Sequence, residues 1–350
     1  MQKLLICYKN EPVEKIHLER ISAVWSDVEI VNVGQNRVAD ELLNTDYFLG
    51  HAKVPVDWDE VVKRGRLRWI QSSAAGMDWC LVPSVIASDI TITTASGVLA
   101  DQVAEHTLSL LLAWLRNLPT FLREQHDSDC VGYRKFIRRA TRDLSYANVC
   151  IVGFGGVGRR LAEVLSPFGC TIQAIDLFTT NKPDYVANLL TPDKLDEVLP
   201  TSDIVILSLP LNNETRGVFN EDKFSKMKPT ALFANMARGQ LVVTDDLLEA
   251  ITNKKIAGAV MDVTSPEPLP PHNQLWNQPN VIITPHVAGQ FKWRFDLVTM
   301  LFCENVKRRQ TGKPLINLLS AEGKRLGFPL RSDQNPLWTD VRKEIVGTLK

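Results

Sequence analysis

The chain is short of several things that would mark other kinds of protein. Its six cysteines, at 7, 80, 130, 150, 170 and 303, form no CxxC pair. Several lie in apolar stretches, so they read as reduced core or surface thiols of a cytoplasmic protein, and no metal site is expected. Charge of one sign is not in excess: forty basic residues balance forty acidic ones. No net field then favours nucleic acid or an anionic membrane. The apolar run in MQKLLICYKN is too short for a signal peptide. The longest apolar stretch, residues 108–115, includes Ser109 and is far too short to span a bilayer. Repeats of solenoid period and low-complexity segments are absent as well.

What remains is an ordinary globular composition over 350 residues, 45% apolar and 23% charged, enough chain for two domains. Its most informative stretch lies near the middle. Residues 149–152 form a β-branched run, followed by Gly153-Phe154-Gly155-Gly156-Val157-Gly158 and a helical pattern. Gly153-x-Gly155-x-x-Gly158 has the spacing of a dinucleotide loop. The first glycine permits a tight turn, the second lets backbone approach a pyrophosphate, and the third lets helix and strand pack closely. Free N–H groups at the helix start then face the phosphates. A second strand, 171–175, ends in Asp176, 18 residues after Gly158, where a carboxylate accepts from both ribose hydroxyls.

The flanking sequence alternates strands and helices. Residues 4–7, 28–33, 47–49, 69–71 and 90–93 read as short strands separated by helix-length segments, which predicts a parallel sheet covered on both faces. Small residues after one of them, Ser72 to Gly76, allow close approach to a ligand or make a plain turn. Residues 100–118 read as one long helix, apolar on most sides and therefore buried. It could cross between domains or form a subunit interface. Residues 126–142 read as an exposed, basic excursion. Further strands at 204–207, 231–234, 257–261 and 281–283 end in polar residues, as the ligand crevice of an open α/β sheet requires. An amphipathic helix at 292–310 follows, and the last 30 residues read as a polar, peripheral tail.

Three strand ends carry Arg238-Gly239, Asp262 through Glu267-Pro268, and Thr284-Pro285-His286. This order, behind a mid-chain glycine loop, resembles the D-isomer-specific 2-hydroxyacid dehydrogenases, over roughly residues 45–325. Gln274-Leu275-Trp276, Pro279-Asn280-Val281 and Val103-Ala104-Glu105-His106 strengthen the resemblance. It implies an α/β protein of two doubly wound parallel-sheet domains, a Rossmann nucleotide domain inserted into a flavodoxin-like substrate domain. The expected boundaries are 1–102 and 288–350 for the substrate domain and 103–287 for the NAD-binding domain, with substrate in the cleft between them.

The same resemblance implies roles. Arg238 binds the substrate carboxylate and polarises the keto oxygen, for which a guanidinium fork is suited. His286 is the general acid in reduction and the base in oxidation, since an imidazole titrates near neutrality. Glu267 holds the imidazole and favours its charged form. Gly156, Val157, Pro210 and Thr215 line the cofactor beside the three loop glycines and Asp176. Asp262 binds the nicotinamide carboxamide or caps a turn. Backbone around Ala74, Ala75 and Gly76 binds the substrate carboxylate. His51, His106 and His126 receive no role. The formate dehydrogenases of this superfamily carry Gln where Glu267 stands, which disfavours formate. Asp176 is followed by Leu177-Phe178-Thr179-Thr180 with no Arg for a 2′-phosphate, which favours NAD over NADP. Arg159 and Arg160 reach the pyrophosphate or lie at the surface.

Where the family often has Trp-Arg before the glycine loop, this chain has Tyr133-Arg134-Lys135-Phe136. Gln290 to Arg294 shapes the substrate pocket or starts a helix. The expected function is hydride transfer between NAD(H) and a small D-2-hydroxy acid or 2-keto acid, glyoxylate or hydroxypyruvate being favoured. A homodimer through the 100–118 helix is expected, with no nucleic acid or membrane partner. The rival expectation is an NAD(H)-sensing, corepressor-like binding protein of the same fold.

Overall fold

The computed structural model describes residues 1–124, 141–178, 182–330 and 336–346. Two units are resolved by their internal contacts, one formed by Met1–Leu99 with Phe291–Lys350 and the other by Ala100–Gln290.

The first unit begins β1 (Gln2–Cys7), α1 (Lys15–Val24), β2 (Val28–Asn32), α2 (Gln35–Leu42), β3 (Tyr47–Gly50), α3 (Trp58–Arg64), β4 (Trp69–Ser72), α4 (Pro83–Ala87) and β5 (Thr91–Thr93). All pairings are parallel, in the order β2-β1-β3-β4-β5, which is the flavodoxin-like winding. β1 shows why its sequence is a continuous apolar run. Leu4 and Ile6 enter one core with Tyr47, Leu49 and Trp69, while Leu5 and Cys7 enter another with Phe48, Ile70 and Ile92. Successive side chains leave a strand on opposite faces, and both faces here are covered.

The second unit opens on α5 (Ala100–Leu115) and α6 (Leu118–Glu124). It continues through β6 (Asn148–Val152), α7 (Gly156–Leu165), β7 (Thr171–Ile175), β8 (Asn188–Leu190), α8 (Leu195–Val198) and β9 (Ile204–Leu207). It closes with α9 (Glu221–Lys226), β10 (Leu232–Asn235), α10 (Thr244–Thr252), β11 (Gly258–Met261) and β12 (Val281–Ile283). Its parallel sheet runs β12-β11-β10-β9-β6-β7-β8. Counted within the unit, this is the Rossmann order with one extra strand at the β12 edge, and its switch point lies between β6 and β9. Val149 and Ile151 face one core, Cys150 and Val152 the other. Both units therefore have the doubly wound α/β architecture.

Several expectations need correction. The helix expected over 100–118 ends at Leu115. Asn117 adopts φ 56° and its N–H bonds to the Trp114 carbonyl at 3.1 Å; asparagine tolerates this left-handed turn, which ends a helix. Pro119 then sits in the first turn of α6, where a missing N–H costs nothing. Nor is α5 buried all round. Ala100, Ala104, Thr107 and Leu111 form its buried face, whereas Val103, Leu108, Leu112 and Trp114 are only partly covered. Edge strand β8 was not expected.

The tail is not peripheral. Helices α11 (Arg294–Gln310), α12 (Ala321–Leu326) and α13 (Trp338–Val346) return to the first unit. Trp338 is fully buried in the same core as Leu4, Ile6 and Trp69. Its backbone N–H bonds to the Asn317 side chain at 3.0 Å, and Asn317 in turn donates to the carbonyls of Thr94 and Ser96. Residues 126–140 of the basic excursion, with His126 and Tyr133 to Phe136, and Thr179-Thr180 lie outside the described residues.

Candidate active site

The carboxyl edge of the second sheet gathers most of the residues singled out above. At its switch point Gly153 takes φ 98°. A Cβ there would stand 2.7 Å from the Ser208 carbonyl, and one on Gly158 would stand 2.1 Å from the Gly153 carbonyl. Helix α7 can thus approach the sheet only because both positions lack a side chain. Around Gly155 the space is open: a Cβ would meet nothing within 4 Å. Gly155 is also the cap of the ten-residue α7, whose first N–H groups face outward from Gly156, Val157 and Gly158. Ser208, not singled out as a site residue, pins the turn by donating its hydroxyl to the Gly153 carbonyl at 2.6 Å.

Asp176 stands at the end of β7 and holds the loop from the other side. Its carboxylate accepts the Phe154 N–H at 2.6 Å and the Phe178 N–H at 3.0 Å. Pro210 and Thr215 meet in the turn after β9, the Thr215 hydroxyl donating to the Pro210 carbonyl at 2.7 Å. Arg159 lies over the Phe154 ring at 4.7 Å. Arg160 pairs instead with Asp101 at 2.8 Å and Glu163 at 2.7 Å.

Three neighbouring strand ends supply the charged groups, because β10, β11 and β12 are adjacent. After β10, the Asn235 side chain accepts the Ala237 N–H at 3.1 Å and donates to the Arg238 carbonyl at 2.9 Å. Asn235 is 1% exposed and shapes the turn that presents half-buried Arg238, whose guanidinium donates to the Ala237 carbonyl at 2.8 Å. Gly239 lies so close to the next loop that a Cβ would stand 1.9 Å from the Thr264 carbonyl. After β11, Asp262 is 2% exposed. Glu267 follows between two cis X-Pro bonds.

After β12, His286 takes φ 55°, a conformation that non-glycine residues adopt rarely and under restraint. The restraint comes from Asp262. The His286 N–H donates to the Asp262 carbonyl at 2.8 Å. The Asp262 carboxylate accepts the Thr284 hydroxyl at 2.6 Å and the N–H groups of Val287 and Ala288 at 2.9 and 2.8 Å. So placed, His286 Nδ1 lies 2.6 Å from Glu267 Oε1. The His286 and Glu267 side chains are 46% and 41% exposed, so the pair is open to a small molecule. A carboxylate on Nδ1 only accepts, so Nδ1 carries the proton there and Nε2 is left to face a reactant.

Ala74, Ala75 and Gly76 belong to the first unit, beyond β4. The Ser72 hydroxyl bonds both the Ala74 N–H and its carbonyl at 3.0 Å, and Ala75 is exposed. His51 stacks on Trp79 with ring centroids 4.9 Å apart. His106 is the surprise: its Nε2 lies 2.9 Å from the Thr284 hydroxyl. The Glu-His pair in the 103–106 motif was the only sequence hint of this contact. Among the described residues, no group of three or more His, Cys, Asp or Glu could hold a metal ion, and no helix is long and apolar enough to cross a membrane.

The chain is similar to known proteins in sequence and in fold. Residues 108–288 match the family described as D-isomer specific 2-hydroxyacid dehydrogenase, NAD binding domain. The chain is 31% identical over 255 residues to a human glyoxylate reductase/hydroxypyruvate reductase, covering 71% of this chain and 76% of that protein. It is 30% identical over 238 residues to formate dehydrogenase 2, mitochondrial, of Oryza sativa subsp. japonica, covering 66% of this chain and 61% of the other. Among solved structures, a D-isomer specific 2-hydroxyacid dehydrogenase from Xanthobacter autotrophicus Py2, in complex with NADPH and MES, superposes with a TM-score of 0.73 at 25% identity. That match covers 93% of this chain and 100% of that one.

Proposed function

The chain belongs to the D-isomer specific 2-hydroxyacid dehydrogenases, and we propose that it reduces a small 2-keto acid, glyoxylate or hydroxypyruvate first among them, to the D-2-hydroxy acid. It is an oxidoreductase with an NAD-binding domain. The observation that carries the reading is the 2.6 Å contact between His286 Nδ1 and Glu267 Oε1, across the carboxyl ends of β11 and β12 in the sheet that carries the glycine loop.

The residues present fit a dinucleotide. The open space at Gly155, the helix start behind it and the Asp176 carboxylate are the features such a ligand needs. Gly153, Gly155, Gly156, Val157 and Gly158 would hold the pyrophosphate, Asp176 the ribose, and Pro210 and Thr215 the neighbouring wall. Two of about four lone-pair positions on Asp176 are taken by backbone N–H groups, which leaves the others for the ribose hydroxyls. Asp262 has three donors on it, so one position remains for a carboxamide. The bound nicotinamide supplies the hydride. A carboxylate at 176 repels a 2′-phosphate, which supports NAD as the preferred form.

The protein's own groups do the rest. Arg238 binds the substrate carboxylate through its fork and draws charge toward the keto oxygen. His286 donates the proton from Nε2 as the oxygen becomes an alkoxide, and takes it back in oxidation. Glu267 fixes the ring's orientation and stabilises the imidazolium. Formate, which needs no proton relay, would leave the Glu267–His286 pair without work.

Following NADH absorbance with a panel of 2-keto acids tests the proposal. Turnover with glyoxylate or hydroxypyruvate, abolished in Arg238→Ala, is the expected result. Tight NADH binding without turnover on any acid would favour a sensor of the corepressor type.

A further inference from the structure

We propose that His106 is a positioning residue for His286: it holds the Thr284–Asp262 pair around which the His286 turn is wound. This rests on the reading of His286 as the acid–base residue.

The hydrogen-bond directions are fixed by chemistry. Asp262 as a carboxylate only accepts, so the single hydroxyl proton of Thr284 goes to Asp262 Oδ1, 2.6 Å away. Toward His106 the Thr284 oxygen must therefore act as acceptor, and His106 Nε2, at 2.9 Å, must carry a hydrogen. The same Nε2 lies 3.6 Å from Asp262 Oδ1. His106 thus closes a line that runs from helix α5 through Thr284 to Asp262. From Asp262 it continues to the main chain of His286, Val287 and Ala288.

The contact is not an accident of a loose helix end. Trp114, further along α5, donates its Nε1 to the Asn280 carbonyl at 2.9 Å, just before β12. His106 to Trp114 is eight residues, about 12 Å along a helix. Asn280 to Thr284 is four residues, about 13 Å along a strand. The spacings match, so α5 runs opposite in direction to β12 and is tied to the residues just before and just after that strand. Gly258 makes this possible, since a Cβ there would stand 2.7 Å from Trp114 Nε1. Helix α5 is consequently the rigid bar that sets where Thr284 sits. Asp262 follows Thr284, and the left-handed His286 follows Asp262. Small displacements of a proton donor are costly to the chemical step.

The test compares His106→Leu, which removes the donor, with His106→Gln, whose amide N–H reaches the Nε2 position. It also reads the tautomer of His106 in the wild-type protein by 15N NMR, independently of turnover. Expected are an Nε2–H tautomer in the wild type and, in the Leu variant, a kcat lower by roughly tenfold. In that variant the KM for the keto acid stays within about twofold, and the solvent deuterium isotope effect on kcat rises. The Gln variant should recover most of kcat. An Nδ1–H tautomer, or a Leu variant with wild-type kcat and isotope effect, would overturn the proposal. So would Leu and Gln variants impaired alike in step with their melting temperatures. A wild type that turns over no keto acid would count against the reading of the reaction, and the NMR result alone would then decide this proposal.

Discussion

The two sheets of this protein are built alike and finished differently. Both are all-parallel, both are covered on both faces, and in both the strand ends form the natural place for a ligand. At the carboxyl ends of the second sheet stand Asp176, Arg238, Asp262 and His286, each fixed by backbone hydrogen bonds in its own turn. The first sheet ends instead in Tyr8, Gly50, the Ser72–Gly76 turn and Thr94, groups that offer rings, small side chains and main chain. The difference teaches where chemistry resides and where shape resides. Charged side chains at strand ends can polarise and move protons; a small-residue turn can only offer N–H groups and room.

The comparison can be broken by substitution. The first unit depends most on its packed core, so Trp338→Ala should cost about 3–5 kcal/mol, as for other buried aromatics, and urea unfolding of the full chain would measure it. A loss under about 1 kcal/mol would mean that the tail is dispensable. The second unit depends on close backbone approach. Gly158→Ala puts a methyl 2.1 Å from the Gly153 carbonyl and should cost about 1–3 kcal/mol, with NADH binding weakened by more than stability alone explains. Calorimetric titration alongside unfolding would separate the two effects. Asp176→Ala sharpens the contrast between charged and uncharged strand ends. The ratio of NADP to NAD affinity should rise by roughly tenfold, about 1.4 kcal/mol, and an unchanged ratio would remove Asp176 from the ribose site.

The smallest effect belongs to the first unit's one buried histidine pair of contacts. His17 Nδ1 lies 2.9 Å from the Thr299 hydroxyl, which also bonds Tyr8 at 2.8 Å. Burial holds the His17 imidazole below its ordinary titration range, against the opposing pull of Asp296 and Glu14. The folded state then binds fewer protons there than the unfolded one. The contribution is complete above the unfolded value, about 6.5, and is lost as pH falls below it. Unfolding curves at pH 7.5 and 5.5 should therefore differ less for His17→Asn than for the wild type.

Much of this was legible in the sequence because the signals are local. Strand positions follow from short β-branched runs, and the glycine turn follows from spacing. Arg238, Glu267 and His286 follow from the resemblance that their order carries. What was hidden depends on distant partners. Trp338 is a lone aromatic in a polar stretch, and only its fit against Leu4, Ile6 and Trp69 makes it core. Strand β8 has three residues and pairs on one edge only. The break at Asn117 lies inside an apolar pattern that continues to Leu118. His106 and Thr284 are separated by 178 positions, and no spacing rule connects them. Asp262 was expected to serve a cofactor or to cap a turn; the sequence did not say that the turn it caps is that of His286, more than twenty positions away.

The central claim is that His286, held by Glu267 and wound on Asp262, moves the proton. It is tested most directly by measuring kcat and the NADH dissociation constant for His286→Ala with the best 2-keto acid. A fall in kcat of roughly a hundredfold or more, with NADH binding unchanged, is the predicted result. Turnover within a fewfold of wild type would contradict the account.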